Sequence, residues 1–202
     1  MYMPTHFTCQ DPGEARELID RYPFATLVSS TAEAPMVTHL PLTARQDDGT
    51  LVLSGHVARA NPHWQMLPAA SSVAIFHGPH GYISPAWYPS PGLVPTWNYA
   101  AVHCHGAVTL IEDRAAARAL LEKLVAHFES PRTKPWEMRL EPATLDALLG
   151  AIVAFEMRVE RVEAKFKLGQ NRAAQDRQGA IAGLGAEGGE PELIALMRRF
   201  AG

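Results

Sequence analysis

Cysteine is almost missing from this chain: Cys9 and Cys104 are the only two among 202 residues. A disulfide framework is thereby excluded, and a reduced pair is expected. The opening MYMPTHF has neither a basic n-region nor an apolar h-region, so the expected compartment is the cytoplasm. No apolar run approaches the roughly 18 to 20 residues that a membrane-spanning helix needs, and no membrane partner is expected. Net positive charge is lacking too, with 21 acidic against 18 basic residues and a formal charge of −3. No global field exists to hold nucleic acid, so any DNA contact must be local. There is no Gly-x-Ser-x-Gly elbow and no Walker loop, and no catalytic residue can be assigned. Internal repeats are absent as well.

What is present is an ordinary apolar fraction, 47%, enough for one domain with a substantial core. The costly residues are concentrated. Tyr82 to Gly106 (YISPAWYPSPGLVPTWNYAAVHCHG) carries three tyrosines, two tryptophans, four prolines and two histidines. From Trp97 the pattern alternates, as side chains do on a strand. Asn98, Ala100, Val102, Cys104 and Val108 form a face fit for a core. Trp97, Tyr99, Ala101, His103 and His105 form another, which wants a ligand or a second subunit. The prolines before it predict a stiff arm.

In chain order, DPGEARELIDR predicts a helix from Asp11 to Arg21. Residues 23–30 and 35–42 predict a hairpin, and Asp47, Asp48 and Gly49 a second turn, into the strand TLVLSGHV. A short helix is expected after Pro62. Residues 71–78 read as a buried strand ending in a turn at Pro79. Ala117, Leu120, Leu121, Leu124, Val125 and Phe128 give the clearest helical period, between Asp113 and Glu129. A helix over PATLDALLGAI and a half-buried strand over AFEMRVERVEA follow. After Asn171 come two short helices around the glycine-rich GLGAEGGE. The expected division is a domain over 1–184 and a short helical tail over 185–202, uncoupled by those glycines. Frequent turns and bounded strands point to a closed or half-closed barrel.

Three constellations carry possible chemistry. At the end of a strand, Gly55 is followed by His56, Arg59 and Asn61; Arg59 offers a planar fork for a phosphate, or else pairs with a carboxylate. His103 and His105 share a face at a spacing that zinc or iron could use, but the sequence offers no third ligand, so no metal site is expected. In KFKLGQNR, Lys165 and Lys167 could meet a phosphate or simply end an exposed strand.

MYMPTHF, HLPL, GHVARANPHW, FHGPHGYISPAWY, VPTWNYAAVHCHG and KFKLGQNR together resemble the PaiB family of FMN-binding negative transcriptional regulators, in the same order from Met1 to about Leu184. The resemblance implies a mainly β (α+β) fold, an antiparallel split β-barrel of the FMN-binding type with peripheral α-helices. It also implies a homodimer with FMN at the subunit interface. On that analogy Arg59 meets the FMN phosphate, Thr38, His39 and Leu40 run beside the isoalloxazine ring, and Trp97 and Asn98 come near it. His56, Asn61 and Lys167 complete the expected cofactor contacts. Two other readings stand beside the regulator: a flavin-dependent oxidoreductase, and a haem-binding split barrel with His39, His56, His103 or His105 on iron. A helix-turn-helix can be drawn through Asn171 to Gly183 and Pro191 to Phe200, but Glu190 and Glu192 stand where a reading helix would approach DNA.

Overall fold

The protein is described by a computed structural model covering residues 1–201. Seven strands lie in one sheet in the order β2-β1-β5-β6-β7-β4-β3. They are β1 (Phe24–Ser29), β2 (Met36–Pro41), β3 (Thr43–Asp47), β4 (Thr50–Ala58), β5 (Ser72–Ile83), β6 (Thr96–Ile111) and β7 (Ile152–Lys167). The pairs β1–β2, β1–β5, β3–β4 and β4–β7 are antiparallel. Five helices accompany them: α1 (Pro12–Arg21), α2 (Arg114–Glu129), α3 (Pro142–Gly150), α4 (Ala174–Ala186) and α5 (Pro191–Arg199). Among the described residues no helix is long and apolar enough to cross a membrane.

Most elements form where the sequence predicts them. The β1–β2 hairpin is in place, and β3 turns into β4 through Asp48 at φ +47° and Gly49 at φ +77°. That left-handed pair suits a tight hairpin, and glycine adopts it without strain. Asp113 caps α2, its Oδ1 accepting from the Ala116 N–H at 2.8 Å, and Leu120 and Leu124 are buried with Ala154.

One turn is not there. β5 runs unbroken through Pro79. Proline is tolerated in a strand where no ladder donor is required. The next amide, of His80, donates to Glu190 Oε2 at 3.2 Å. β7 joins the strand expected over AFEMRVERVEA to the KFK segment without a break.

The chain divides into two compact units. The first comprises Met1–Leu18, His77–His103 and Glu163–Gly202. Here α5 is no loose tail: Leu193 is 0% exposed and Met197 2%. Arg199 binds Glu14 and Glu17 on α1. The proline-rich arm is equally committed, for Trp87 Nε1 donates to Glu187 at 3.0 Å and the Ser90 N–H to Asp176 at 3.0 Å. The second unit comprises Ile19–Phe76 and Cys104–Val162. Leu27, Leu53, Phe76, Phe155 and Met157 are sealed in its interior, each side chain contributing roughly 1.5 to 3 kcal/mol by burial. Gly106 is required there, because a Cβ would collide with the Arg158 carbonyl.

Candidate functional site

In the second unit the end of β4 is pinned by its own backbone and side chains. The Arg59 N–H donates to the Ala151 carbonyl at 2.8 Å, and the Asn61 N–H to Ala58 at 2.9 Å. Pro62 then opens a single 3₁₀ turn over Pro62–Gln65, capped by Asn61 Oδ1, which accepts from the His63 N–H at 3.0 Å. Arg59 is exposed, yet most of its fork is already used. Its Nε donates to the Gly150 carbonyl at 2.8 Å and its Nη2 to that of Ile152 at 2.9 Å. The guanidinium sits 5.8 Å over the Trp64 ring. What the guanidinium offers outward is therefore Nη1 and its charge.

Thr38, on β2, joins this corner. Asn61 Nδ2 donates to Thr38 Oγ1 at 3.0 Å, and His63 Nδ1 lies 2.8 Å from the same oxygen. His39 is exposed, its ring stacked 6.4 Å from Phe24 and its Nδ1 3.1 Å from Thr26 Oγ1. Leu40 turns into the core.

Also in this unit is a cavity of about 250 Å³, walled by Pro41, His56, Leu121, Leu124, Phe128 and Trp136 among others. Its surface is almost wholly apolar. His56 and Glu129 are the exceptions in its wall; His56 Nδ1 is itself fully buried, with no hydrogen-bond partner among the described residues. Burial pushes its pKa down, so the ring is neutral at pH 7. An apolar space with two aromatic walls and a neutral imidazole suits a flat heteroaromatic ligand.

The first unit holds the other expected contacts. Trp97 is 53% exposed, with His80 5.7 Å and Tyr82 6.4 Å away, centre to centre. Asn98 is buried. A cavity of about 430 Å³ runs past His77, His80, Trp97, Tyr99 and His103. Lys167 does not end in solvent: its Nζ donates to the Trp97 carbonyl at 2.5 Å and to the Thr96 hydroxyl. Burial first, then the charges of Lys165 and Arg172, push its pKa down. Lys165 is buried, its Nζ donating to the Tyr2 carbonyl at 3.0 Å between the Tyr2 and Tyr99 rings. His103 faces Glu163 at 3.9 Å.

The expected residues thus fall into two groups. Thr38, His39, Leu40, His56, Arg59 and Asn61 belong to the second unit; Trp97, Asn98 and Lys167 belong to the first. His63 was missed, although it lies inside the GHVARANPHW motif, because a histidine followed by tryptophan carries no spacing signal. Ser29 and Ser72 were missed as serines in apolar strands; the register that sets them opposite each other is invisible in one dimension. Gly183, Gly185 and Gly188 spell Gly-x-Gly-x-x-Gly, but they lie at the C-terminal end of α4 rather than between a strand and a helix. No phosphate loop is formed there.

Comparison with known proteins bears on this arrangement. The family model described as "Putative FMN-binding domain" matches residues 1–161. The "Protease synthase and sporulation protein PAI 2" of Bacillus subtilis is 37% identical over 185 residues, covering 90% of this chain and 87% of its own. An uncharacterized protein of Aspergillus fumigatus is 31% identical over 204 residues, covering 79% of this chain and 78% of its own. Among solved structures, the "FAD and Heme binding protein from Mycobacterium smegmatis" superposes with a TM-score of 0.63 at 17% identity, covering 80% of this chain and 74% of that one. The "Flavocytochrome Anf3 from Azotobacter vinelandii" gives 0.63 at 16%, covering 83% and 73%. At such identities these two likenesses show the fold, the antiparallel split barrel with peripheral helices.

Proposed function

The chain belongs to the FMN-binding domain family, and from that membership we propose that it is a homodimeric, cytoplasmic regulator that binds FMN and represses transcription. The observation that carries the cofactor reading is the largely apolar cavity walled by Phe128, Trp136 and the neutral ring of His56. Bound FMN would supply a two-electron redox couple. The chain's own residues would bind and orient it: Phe128 and Trp136 would pack against the ring, with His56 beside them in the same wall. Arg59 attracts the phosphate through the part of its guanidinium that Gly150 and Ile152 leave open.

The regulatory reading draws on the PaiB resemblance and on the name of the Bacillus subtilis relative, which ties that protein to protease synthesis and sporulation. A net charge of −3 and the acidic start of α5, where Glu190 already accepts from His80, speak against α5 as a reader of the major groove. DNA contact would then fall to local arginines pooled across two subunits. The homodimer is supported by Trp97 and Tyr82, about half exposed on a face that a monomer would leave to water.

A haem-binding reading has one observation in its favour, the same His56, since a neutral imidazole is an iron ligand. The visible spectrum of freshly purified protein decides between them. Flavin bands, or quenching of added FMN fluorescence at stoichiometric protein, support the proposal, whereas a Soret band replaces it with haem. No spectrum and no quenching would leave the cofactor reading without support. Sedimentation at micromolar concentration tests the dimer, and selection of bound sequences from a random duplex library tests DNA binding.

A further inference from the structure

The second unit holds another cavity, of about 500 Å³, along the opposite side of α2. It shares no wall residue with the cavity proposed for FMN. On the helix its wall is Ala116, Ala119, Leu120, Lys123 and His127. Those positions follow one another at i, i+3, i+4, i+7 and i+11 and so lie on one helical face. Across from them the sheet contributes Arg45 of β3, Ser54 of β4 and Glu156 of β7. The two alanines make the room, standing where longer side chains would close the gap between helix and sheet.

The polar groups of the sheet satisfy one another. Arg45 Nη2 donates to Glu156 Oε2 at 3.0 Å, and its Nη1 lies 3.1 Å from Asp47 Oδ2. Ser54, a buried residue, donates its hydroxyl to Glu156 Oε1 at 3.3 Å. Arg158 reaches Asp47 at 3.4 Å, so two arginines meet two carboxylates and the network has no net charge. Lys123 is different, for its ammonium has no partner among the described residues. His127, one turn further on, adds an imidazole that donates or accepts. A mostly apolar space with a single permanent, unbalanced positive charge suits a molecule with an apolar body and one negative charge. A phosphate dianion would bring two charges to one ammonium, with the Glu156 carboxylate in the same wall; a carboxylate brings one.

We propose that this cavity binds a small organic monocarboxylate, with Lys123 pairing with the carboxylate, His127 as a second donor to it, and the space beside Ala116 and Ala119 taking its ring or chain. Arg45 does not compete for the ligand, because both its terminal nitrogens are engaged. Glu156, held by Arg45 and Ser54, turns away a second negative charge. The site is separate from that of the flavin, and neither reading depends on the other.

The test titrates full-length, uniformly ¹⁵N-labelled protein, with no flavin added, with phenylacetate, with hexanoate and with the neutral phenylacetamide, following backbone amides by NMR. Phenylacetate is expected to shift the amides of residues 43–45 and 116–127 and to bind about tenfold more tightly than phenylacetamide, the worth of one charge-assisted hydrogen bond. Lys123→Gln should bring phenylacetate down to the level of the amide, and Lys123→Arg should restore most of the difference. Arg118→Gln removes a charge from the far face of α2, where Arg118 pairs with Glu122, and should change nothing. Ala119→Leu fills the cavity with a good helix former and should abolish binding of all three probes without lowering the melting temperature. Equal affinities for acid and amide overturn the proposal, as do phenylacetate binding that survives Lys123→Gln, shifts centred on Phe128 and Trp136 instead, or no shift with either acid at millimolar concentration. Should the leucine variant fail to fold, the two Lys123 variants still decide. FMN titration of the same protein is read separately: its failure removes the flavin reading and leaves this one standing.

Discussion

The indole of Trp87 occupies the space in which a side chain on Gly183 would stand. The arm between β5 and β6 is thereby keyed to α4, and the glycine is there for close approach rather than for flexibility. Gly183→Ala should destabilise the protein by about 1 to 3 kcal/mol through overpacking, outweighing the roughly 1 kcal/mol that alanine gains in a helix. Gly185→Ala, whose Cβ would meet Ile194 at an ordinary 3.8 Å, should be neutral or stabilising. Urea unfolding of the two variants makes the comparison within one helix.

Leu193 is fully buried and would meet any side chain placed on Gly81. Leu193→Ala should cost about 2 to 5 kcal/mol, and a chain ending at Leu184 should melt well below the full protein. An unchanged melting temperature for the shortened chain would return α5 to the status of an appendage.

Arg59→Ala removes two bonds to backbone carbonyls as well as a charge. A stability loss of about 1 to 3 kcal/mol is expected from the first effect. From the second, FMN should bind about ten- to a hundredfold more weakly while riboflavin, which lacks the phosphate, is nearly unaffected. Equal losses for the two flavins, measured by fluorescence titration, would make Arg59 a structural residue alone.

Burial holds His56 and His63 below the ordinary imidazole pKa, which in an unfolded chain is about 6.5. Above that pH both states are neutral at these rings and stability is full. As pH falls through about 6.5 the unfolded state binds protons that the folded state refuses, so stability declines. The urea midpoint should therefore drop between pH 7 and pH 5, and His63→Gln should flatten the slope. A pH-independent midpoint over that window would contradict the burial of these rings.

Much of the fold could be read from one dimension because its signals are local. Asp48–Gly49 announces a left-handed hairpin turn, the apolar period from Ala117 to Phe128 announces α2, and the alternation after Trp97 separates a buried face from an open one. Pro79 misled, since a proline reads as a break unless one knows that Glu190, far along the chain, takes the neighbouring amide. The site was legible only in part. Thr38, Arg59 and Asn61 could be named from the family likeness, but Arg59's commitment to Gly150 and Ile152 depends on where α3 ends in space. The hydrogen bonds that link Ser72, Ser29 and His63 depend on a strand register. Contacts across such long separations leave no periodic trace.

The clasp of Arg199 on Glu14 joins residues 185 positions apart, and it sets a schedule for biosynthesis. At about 5 to 20 residues per second, α1 leaves the ribosome some 10 to 40 s before its partner exists. Glu14 and Glu17 must wait through that interval without their partner, and the face of β5 at Gly81 waits, for a shorter time, for Leu193. A nascent chain of this protein is therefore exposed to proteolysis and miscontact at its beginning, and codons or chaperones that shorten or shelter the wait should change its yield.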